Sequence, residues 1–485
     1  MYFLKYLSGI VFVLILACSF GSCTDELFTN DPDKVLAFST DTLTFDTVFT
    51  TTGSTTEKFI VYNPNNRALK ISSVSLAGGA SSQFRINVDG SRSANNSFSN
   101  IEISAHDSMY VFVEVTVDPN NVNSPVLVND SIIFSTNGTK QQVRLEAYGQ
   151  DMILFKNKTI HNDTTLRAGK PYLIQGYLAN DSAKTLTLSP GCKLYFHNNA
   201  YLQIRGNLKA EGSFEQPIEM RGDRLDKVKF MNPVPYNYVA GQWGGIYLLW
   251  AGGRHTLKHV NVTSAYVGLY VPNSNMLWLP DLTVSYCRLH NFVYYGIVAQ
   301  NCNLQVDNTE ISNTGSVSVY LNGGNHKFTQ TTVANFYDNN SFEPGSRDKN
   351  PAVLIMNLYK TAPMYTTFEN CVIAGGIENE FAIASRFMAQ YKGTFTNTYI
   401  RRATKYDSEQ FSSVRWSAAK DTVFKYTRFD YEKNRYFDFT PDSVSPLRGL
   451  ADKTIATKYP LDLNGNKRLT DNAPDAGAYE WMPTK

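Results

Sequence analysis

His255 and His259 stand four residues apart, the interval at which two imidazoles on a helix can share a metal ion. Their neighbours, Leu257, Val260 and Val262, read as turn and strand, so the pair is expected to be ordinary surface histidine and no metal site is assigned. Asp462-x-Asn464-x-Asn466 has the start of a calcium loop, but Lys467 stands where the sharp turn needs Gly and no Glu follows at the right offset. Sugar hydrolysis needs two facing carboxylates, and lyase chemistry needs clustered carboxylates with a basic residue. The carboxylates of the regular segments, Asp281, Asp307, Glu310 and Glu369, stand singly. There is no GxSxG, HExxH or phosphate-binding loop, so no catalytic residue and no cofactor is assigned. What remains is aromatic. Tyr236, Tyr238 and Trp278 fall in stretches that break the surrounding strand pattern, and rings in such loops, together with Trp250, are candidates for ligand contact.

The elements that would carry these residues are strands. In 485 residues, 42 % are hydrophobic, 13 % aromatic and 18 % charged, with net charge +2. Such a balance lacks the clustered basic face that nucleic acid requires. No long stretch has helical periodicity. Around Gly241–Ile297 a motif repeats: Leu257, Val260 and Val262 lead to Gly268-Leu269-Tyr270, then Leu282, Val284 and Leu289 lead to Gly296-Ile297-Val298. Gly268 and Gly296 are 28 residues apart, and a looser third copy runs from Leu304 to Val317-Ser318-Val319. Short β-branched runs repeating at this interval predict stacked coils, each pairing its backbone with the next.

One stretch resembles the first coils of right-handed parallel β-helix proteins, the pectin-lyase-like superfamily. It is Pro190-Gly191, the strand pairs around Gly206 and Gly212, Gln216-Pro217-Ile218, and then Trp243-Gly244-Gly245-Ile246. The resemblance implies a β-helix over residues 151–440. At ~25 residues per coil that is about ten coils and a rod of about 50 Å. Gly206 and Gly212 are expected at tight corners, as are Asn261, Asn291, Asn308, Asn313 and Asn335. The superfamily includes polysaccharide lyases and glycoside hydrolases, which is the enzymatic alternative for this chain. Arg224–Ala240, Pro272–Asp281 and Tyr337–Pro351 interrupt the register, and insertions in a solenoid mark its binding face. Residues 441–485, ending Pro474-Asp475-Ala476-Gly477-Ala478-Tyr479-Glu480-Trp481, resemble the C-terminal signature of bacterial β-helix surface proteins. They are expected to cap the last coil.

Residues 35–150 hold short alternating strands, among them Phe59–Tyr62, Tyr110–Val115 and Gln142–Leu145, separated by Asn63-Pro64-Asn65-Asn66, Asp118-Pro119 and Asn137-Gly138. This predicts an Ig-like sandwich. The order of Val61-Tyr62-Asn63, Leu69–Val74, Asp118-Pro119 and Ile133–Gly138 resembles domains of the HYDIN and abnormal-spindle type, which act as spacers or interaction modules. The fold class is thus all-β: a sandwich followed by a right-handed parallel β-helix.

Residues 1–23 combine Lys5, an apolar run from Leu7 to Ala17 too short to span a bilayer, and Phe20-Gly21-Ser22-Cys23, as in a signal peptide. Small residues before Cys23 resemble a bacterial lipobox. Acylation of that cysteine would anchor the chain to a membrane, with Cys18 the competing site. Asp25-Glu26 resembles the export tag of Bacteroidetes lipoproteins on the outer face of the outer membrane, and residues 24–34 read as a tether. Eight Asp-Ser/Thr tripeptides, from Asp41-Thr42-Leu43 to Asp442-Ser443-Val444, resemble the O-glycosylation acceptor of that group. Cys192, Cys287, Cys302 and Cys371 read as small buried residues, with a Cys287–Cys302 disulfide left open. The expected function is a lipid-anchored surface protein that binds glycans or outer-membrane proteins without catalysis.

Overall fold

The computed structural model describes residues 27–228, 234–249, 252–272, 281–337, 347, 349–358, 363–384, 386, 388–417, 422–428, 430, 433 and 436–483. Chain contacts divide it into two units, 1–151 and 152–485.

In the first unit, alternation of apolar and polar residues builds two five-stranded sheets. One orders Ala37–Phe38, Glu57–Tyr62, Ser108–Val115, Phe84–Val88 and Ser91–Arg92. The other orders Thr42–Phe49, Thr139–Gln150, Val126–Thr136, Leu69–Leu76 and Ser97–Ile103. Their inward residues, including Phe59, Val61, Ile71, Phe84, Val111, Val113, Phe134 and Leu145, form one core. Asn137-Gly138 closes the two-residue hairpin, a preferred turn for twisted strands. One pairing departs from the antiparallel rule: Thr42–Phe49 runs parallel to Thr139–Gln150, with an irregularity between Glu146 and Tyr148.

The second unit is a parallel β-helix of three faces. Inward residues of one face stack as Leu166, Leu188, Ala210, Leu257, Val284, Val306, Phe328, Phe368, Phe395 and Phe411, one per coil. Coils without insertions advance by 22 residues, as Leu166, Leu188 and Ala210 do. This is shorter than the 25 expected, and the 28-residue interval of Gly268 and Gly296 is such a coil carrying extra residues. The third copy keeps register, Ile297 pairing with Val319. Phe328, Phe368, Phe395 and Phe411 stack with ring centroids 4.5, 5.2 and 4.6 Å apart and planes within 15°. That separation matches the distance between paired strands, so equivalent rings meet face over face.

The winding starts at Ile153–Ile160, ahead of the Pro190-Gly191 turn. Gly206 has no left-handed backbone; a Cβ there would lie 2.0 Å from the Lys184 carbonyl oxygen, so close approach of the neighbouring coil requires it. Left-handed corners fall instead on a column of larger residues, Tyr286, Asn308, Gln330, Asn370 and Asn397, with φ of 52°, 41°, 47°, 54° and 47°. Of the expected asparagine corners, Asn291, Asn308 and Asn313 are left-handed, while Asn261 and Asn335 lie within strands.

After each corner residue comes Cys287, Thr309, Thr331, Cys371 or Thr398. Its thiol or hydroxyl donates to the carbonyl two residues earlier, at 3.3, 2.8, 3.0, 3.2 and 2.9 Å. Cysteine and threonine are interchangeable here because the position wants a small side chain with one short donor. Cys287 and Cys302 are both free and form no disulfide, as are Cys192 and Cys371, and burial pushes all four thiols up to about 12.

The C-terminal segment departs from the expected cap. Its hydrogen bonds run along the flank of the helix, from Tyr286 to Asn397, as a lateral strap. Asn370 exchanges two bonds with the Asp452 backbone (2.7 and 3.0 Å), Asn397 donates to Leu450 (3.1 Å), and Arg468 donates to Asn308 (2.6 Å). Leu447, Leu463, Ala476, Ala478 and Tyr479 share a core with Ala334, Val372 and Tyr399. The strap satisfies the corner amide of Asn370, accepts a bond from that of Asn397 and donates to the Asn308 side-chain oxygen, while the Gln330 amide is buried without a partner among the described residues.

Candidate functional site

The three faces differ in chemistry. The first comprises residues 177–180, Tyr201–Ile204, Trp243–Leu248, Ala265–Val271, residues 295–300 and 319–322, Val353–Met356 and Phe381–Ile383. None of these strands holds a charged residue. Six consecutive coils carry tyrosines on the outer side in two adjacent rows, Tyr177, Tyr201 and Tyr295 in one and Tyr247, Tyr270 and Tyr320 in the other, with Tyr266 a second tyrosine on the strand of Tyr270. Period-2 alternation puts Leu178, Leu202, Leu248 and Leu269 inward beside them. Ring centroids lie 6.0 Å apart for Tyr177–Tyr201, 6.0 Å for Tyr201–Tyr247, 5.7 Å for Tyr247–Tyr270 and 6.2 Å for Tyr295–Tyr320. All six are half-buried. Tyr247 reaches the Gly244 carbonyl at 3.5 Å, whereas the phenol oxygens of the other five have no partner among the described residues. Burial, then the neighbouring phenols, raise the pKa of Tyr247 and Tyr320, so these rings remain neutral donors in the physiological range.

The long excursions of the chain leave at the two corners bordering this face: 223–242 and 336–352 on one side, 249–253, 272–280, 357–363 and 384–390 on the other. The third corner, opposite it, is six residues or shorter throughout and two residues long in each coil from Tyr286-Cys287 onward.

The second face is polar. Asp281, Asn303 and Asn325 form an outward ladder, each amide donating to the coil before it at 2.8 and 2.9 Å. With Thr283, Gln305, Lys327, Tyr365 and Thr367 they line an open groove of ≈ 500 Å³. Lys327 pairs with Glu369 at 2.9 Å. The nearest approach to a catalytic carboxylate pair is here. Asp307 and Glu369 share the outward row Ser285, Asp307, Thr329, Glu369. They are two coils apart, about 9.6 Å along the stack. Burial raises the Asp307 carboxyl and its bond from Ser285 (2.5 Å) opposes this. Tyr459 of the strap hydrogen-bonds Thr329, which lies between the two carboxylates in that row.

The third face lies under the strap. Arg288 donates to the Leu463 carbonyl at 3.1 Å and to Asn464 at 2.8 Å; Glu310 accepts from Ser312 at 2.6 Å and from Tyr479. Burial holds His290 below the usual imidazole range; Glu310 opposes this, and Arg288 and Arg221 reinforce it.

Tyr236 and Tyr238, expected as ligand contacts, form one 3₁₀ turn and pack on the fold. Arg224 lies over the Tyr236 ring at 4.0 Å and is itself held by Asp226 (2.7 and 2.6 Å). Tyr238 stacks on Tyr436 at 4.7 Å and meets His290 edge-on at 5.5 Å, and burial pushes its phenol up to about 12. Trp250, Trp278 and Cys23 lie outside the described residues. His255 points into the core and His259 sits at a corner between Phe214 and Tyr286, so the two share no ligand position. The Asp462 carboxylate is occupied by the N–H groups of Asn464, Asn466 and Glu480 and the Asn466 amide, at 2.7–3.1 Å. Of the described hydroxyls in the eight Asp-Ser/Thr tripeptides, none is buried.

The tyrosine face was missed in the sequence because its members lie 23 to 46 residues apart. The signal that finds it is a tyrosine one or two residues from an inward Leu or Ile in each coil, once the coils are aligned.

No family model matches the chain, and no curated protein does. Solved structures that share features with it include a family 123 glycoside hydrolase from Clostridium perfringens, at 11 % identity and TM-score 0.18, over 26 % of this chain and 26 % of that one. Another is the ASH/PapD-like domain 7 of human CEP192, at 13 % identity and TM-score 0.17, over 27 % of this chain and 95 % of that one. The chain thus spans about a quarter of the hydrolase's length.

Proposed function

We propose that this protein is a lipid-anchored protein of the outer cell surface whose β-helix binds glycans without cleaving them. The observation that carries the reading is the tyrosine face: rings from each of six successive coils, on strands without charge, bordered by the long excursions. An aromatic stripe left open to water is unfavourable unless a partner covers it. Aromatic rings suit the C–H faces of sugars, and free phenol groups suit their hydroxyls. The anchor rests on the sequence of residues 1–26, with Cys23 as the acylated residue, and the sandwich serves as a spacer.

The test is a glycan array with the full chain, run beside a polysaccharide-degradation assay and fatty-acid labelling of the wild type and Cys23→Ser. Glycan retention, no new reducing or unsaturated ends, and label lost in Cys23→Ser are expected. New ends that vanish in Asp307→Asn would establish the enzymatic alternative. Retention of outer-membrane proteins but no glycan would establish a scaffold.

A further inference from the structure

We infer that the tyrosine face takes an uncharged, extended polysaccharide laid parallel to the helix axis, in contact with several coils at once. This rests on the glycan-binding reading above and adds the ligand's charge, length and direction.

The direction follows from the stacking. Tyr177, Tyr201, Tyr247, Tyr270, Tyr295 and Tyr320 come from successive coils and divide between two adjacent outward positions, so the row they form, a band two residues wide, runs along the axis and not around it. Five steps of about 4.8 Å give a row of about 24 Å. A monosaccharide covers one ring of such a row and a disaccharide about two. Only a chain can engage the whole, and it gains one ring for each coil it crosses.

The charge follows from composition. Recognition of an acidic polymer needs Lys or Arg aimed at its carboxylates or sulfates, since paired charge is what separates it from a neutral one. The strands of this face carry none. The lysines and arginines of the neighbouring polar face are tied to local partners or stand at its rim, as Lys327 to Glu369 at 2.9 Å and Lys209 to Glu211 at 3.3 Å. An acidic chain would find on the tyrosine face no compensation for the water it gives up. A neutral chain exchanges water for ring faces and for the five phenol groups that lack partners among the described residues.

The experiment is calorimetric titration of the full chain, purified in detergent, with neutral probes (dextran, mannan, xylan, mixed-linkage β-glucan) and acidic ones (polygalacturonate, alginate, heparin). It is followed by size-fractionated oligomers of the best probe. Affinity should climb with oligomer length until the row is spanned. Tyr177→Ala and Tyr320→Ala, at its two ends, should each cost the long oligomers about three- to tenfold and leave dimers unchanged. Both substitutions are on the surface, and Asn303→Ala in the polar groove is the folded control, expected to bind as wild type. Affinity that is already complete at the dimer, or tighter binding of acidic probes, overturns this inference while leaving glycan binding intact. Loss of binding in Asn303→Ala with none in the tyrosine variants moves the site to the polar groove and also overturns it. Binding of no probe at all overturns both this inference and the reading it rests on.

Discussion

Replacing His255 by Leu should stabilise the protein, and more so in acid. His255 occupies an inward position between Leu208 and Leu282 of the adjacent coils and is 2 % exposed. Neither ring nitrogen has a hydrogen-bond partner among the described residues. An unpaired buried polar group costs about 1–3 kcal/mol, and Leu, of similar size and already used at this level of the stack, removes that cost. Burial lowers the imidazole from 6.5 to about 4, with Asp281 pulling weakly the other way. The unfolded chain therefore takes up a proton below pH 6.5 that the folded chain refuses until about pH 4. The contribution of the neutral ring to stability is complete above pH 6.5 and declines as pH falls toward 4, by about 3 kcal/mol in all and about 2 kcal/mol by pH 5. Urea unfolding of wild type and His255→Leu at pH 7.5 and pH 5 measures this. The variant should be the more stable at pH 7.5 by about 1–3 kcal/mol, with the gap about 2 kcal/mol wider at pH 5. A variant that is less stable at both pH values, or a gap that does not change with pH, would refute the reasoning.

Three further outcomes are expected. Gly477→Ala should loosen the strap, since φ is +96° and a Cβ would stand 2.5 Å from Thr332 Oγ1 and 2.9 Å from Val372 Cγ2; limited proteolysis of 441–483 should accelerate while the coils stay protected. Phe368→Ala removes the ring stacked between Phe328 and Phe395 and should cost about 3–5 kcal/mol in denaturant unfolding. Cys371→Thr should be tolerated within about 1.5 kcal/mol, because Thr331 and Thr398 fill the same position in neighbouring coils, and its Tm should stay close to wild type.

Strands with strict alternation were legible in the sequence. Phe59–Tyr62 and Tyr110–Val115 announce themselves through Phe59, Val61, Val111 and Val113, all buried. Ser97–Ile103 did not, because an outer strand buries only Ile103 fully, and Phe98 and Ile101, partly buried, are spaced by three and two residues instead of alternating. The coil unit was half legible. Gly268 and Gly296 show a repeat, but the excursions between coils change its length, and the actual marker is the corner triplet. Ser285-Tyr286-Cys287, Asp307-Asn308-Thr309, Thr329-Gln330-Thr331, Glu369-Asn370-Cys371 and Thr396-Asn397-Thr398 are one motif in geometry and five in spelling. A left-handed corner accepts several polar residues, and the next position accepts either Cys or Thr, so identity blurs while the physical demand stays constant.

The strap was read as a cap for a related reason. The sequence shows that 441–485 must cover something, but not where. Its contacts, Tyr479 with Glu310 and Arg468 with Asn308, join residues 169 and 160 positions apart. The aromatic residues that stand out in the sequence lie in loops, where local composition differs from that of the strands. Tyr236 and Tyr238 turned out to pack on Arg224 and Tyr436. The tyrosines with unsatisfied groups were in regular strands, where each looked like ordinary β composition.

Binding and turnover measured together on one neutral polysaccharide test the central claim most directly. Wild type should retain the polymer and release it at unchanged chain length, and Tyr247→Ala/Tyr270→Ala should fold, keep its thermal transition and lose retention. Shortened polymer, or retention undiminished in the double variant, would contradict the account.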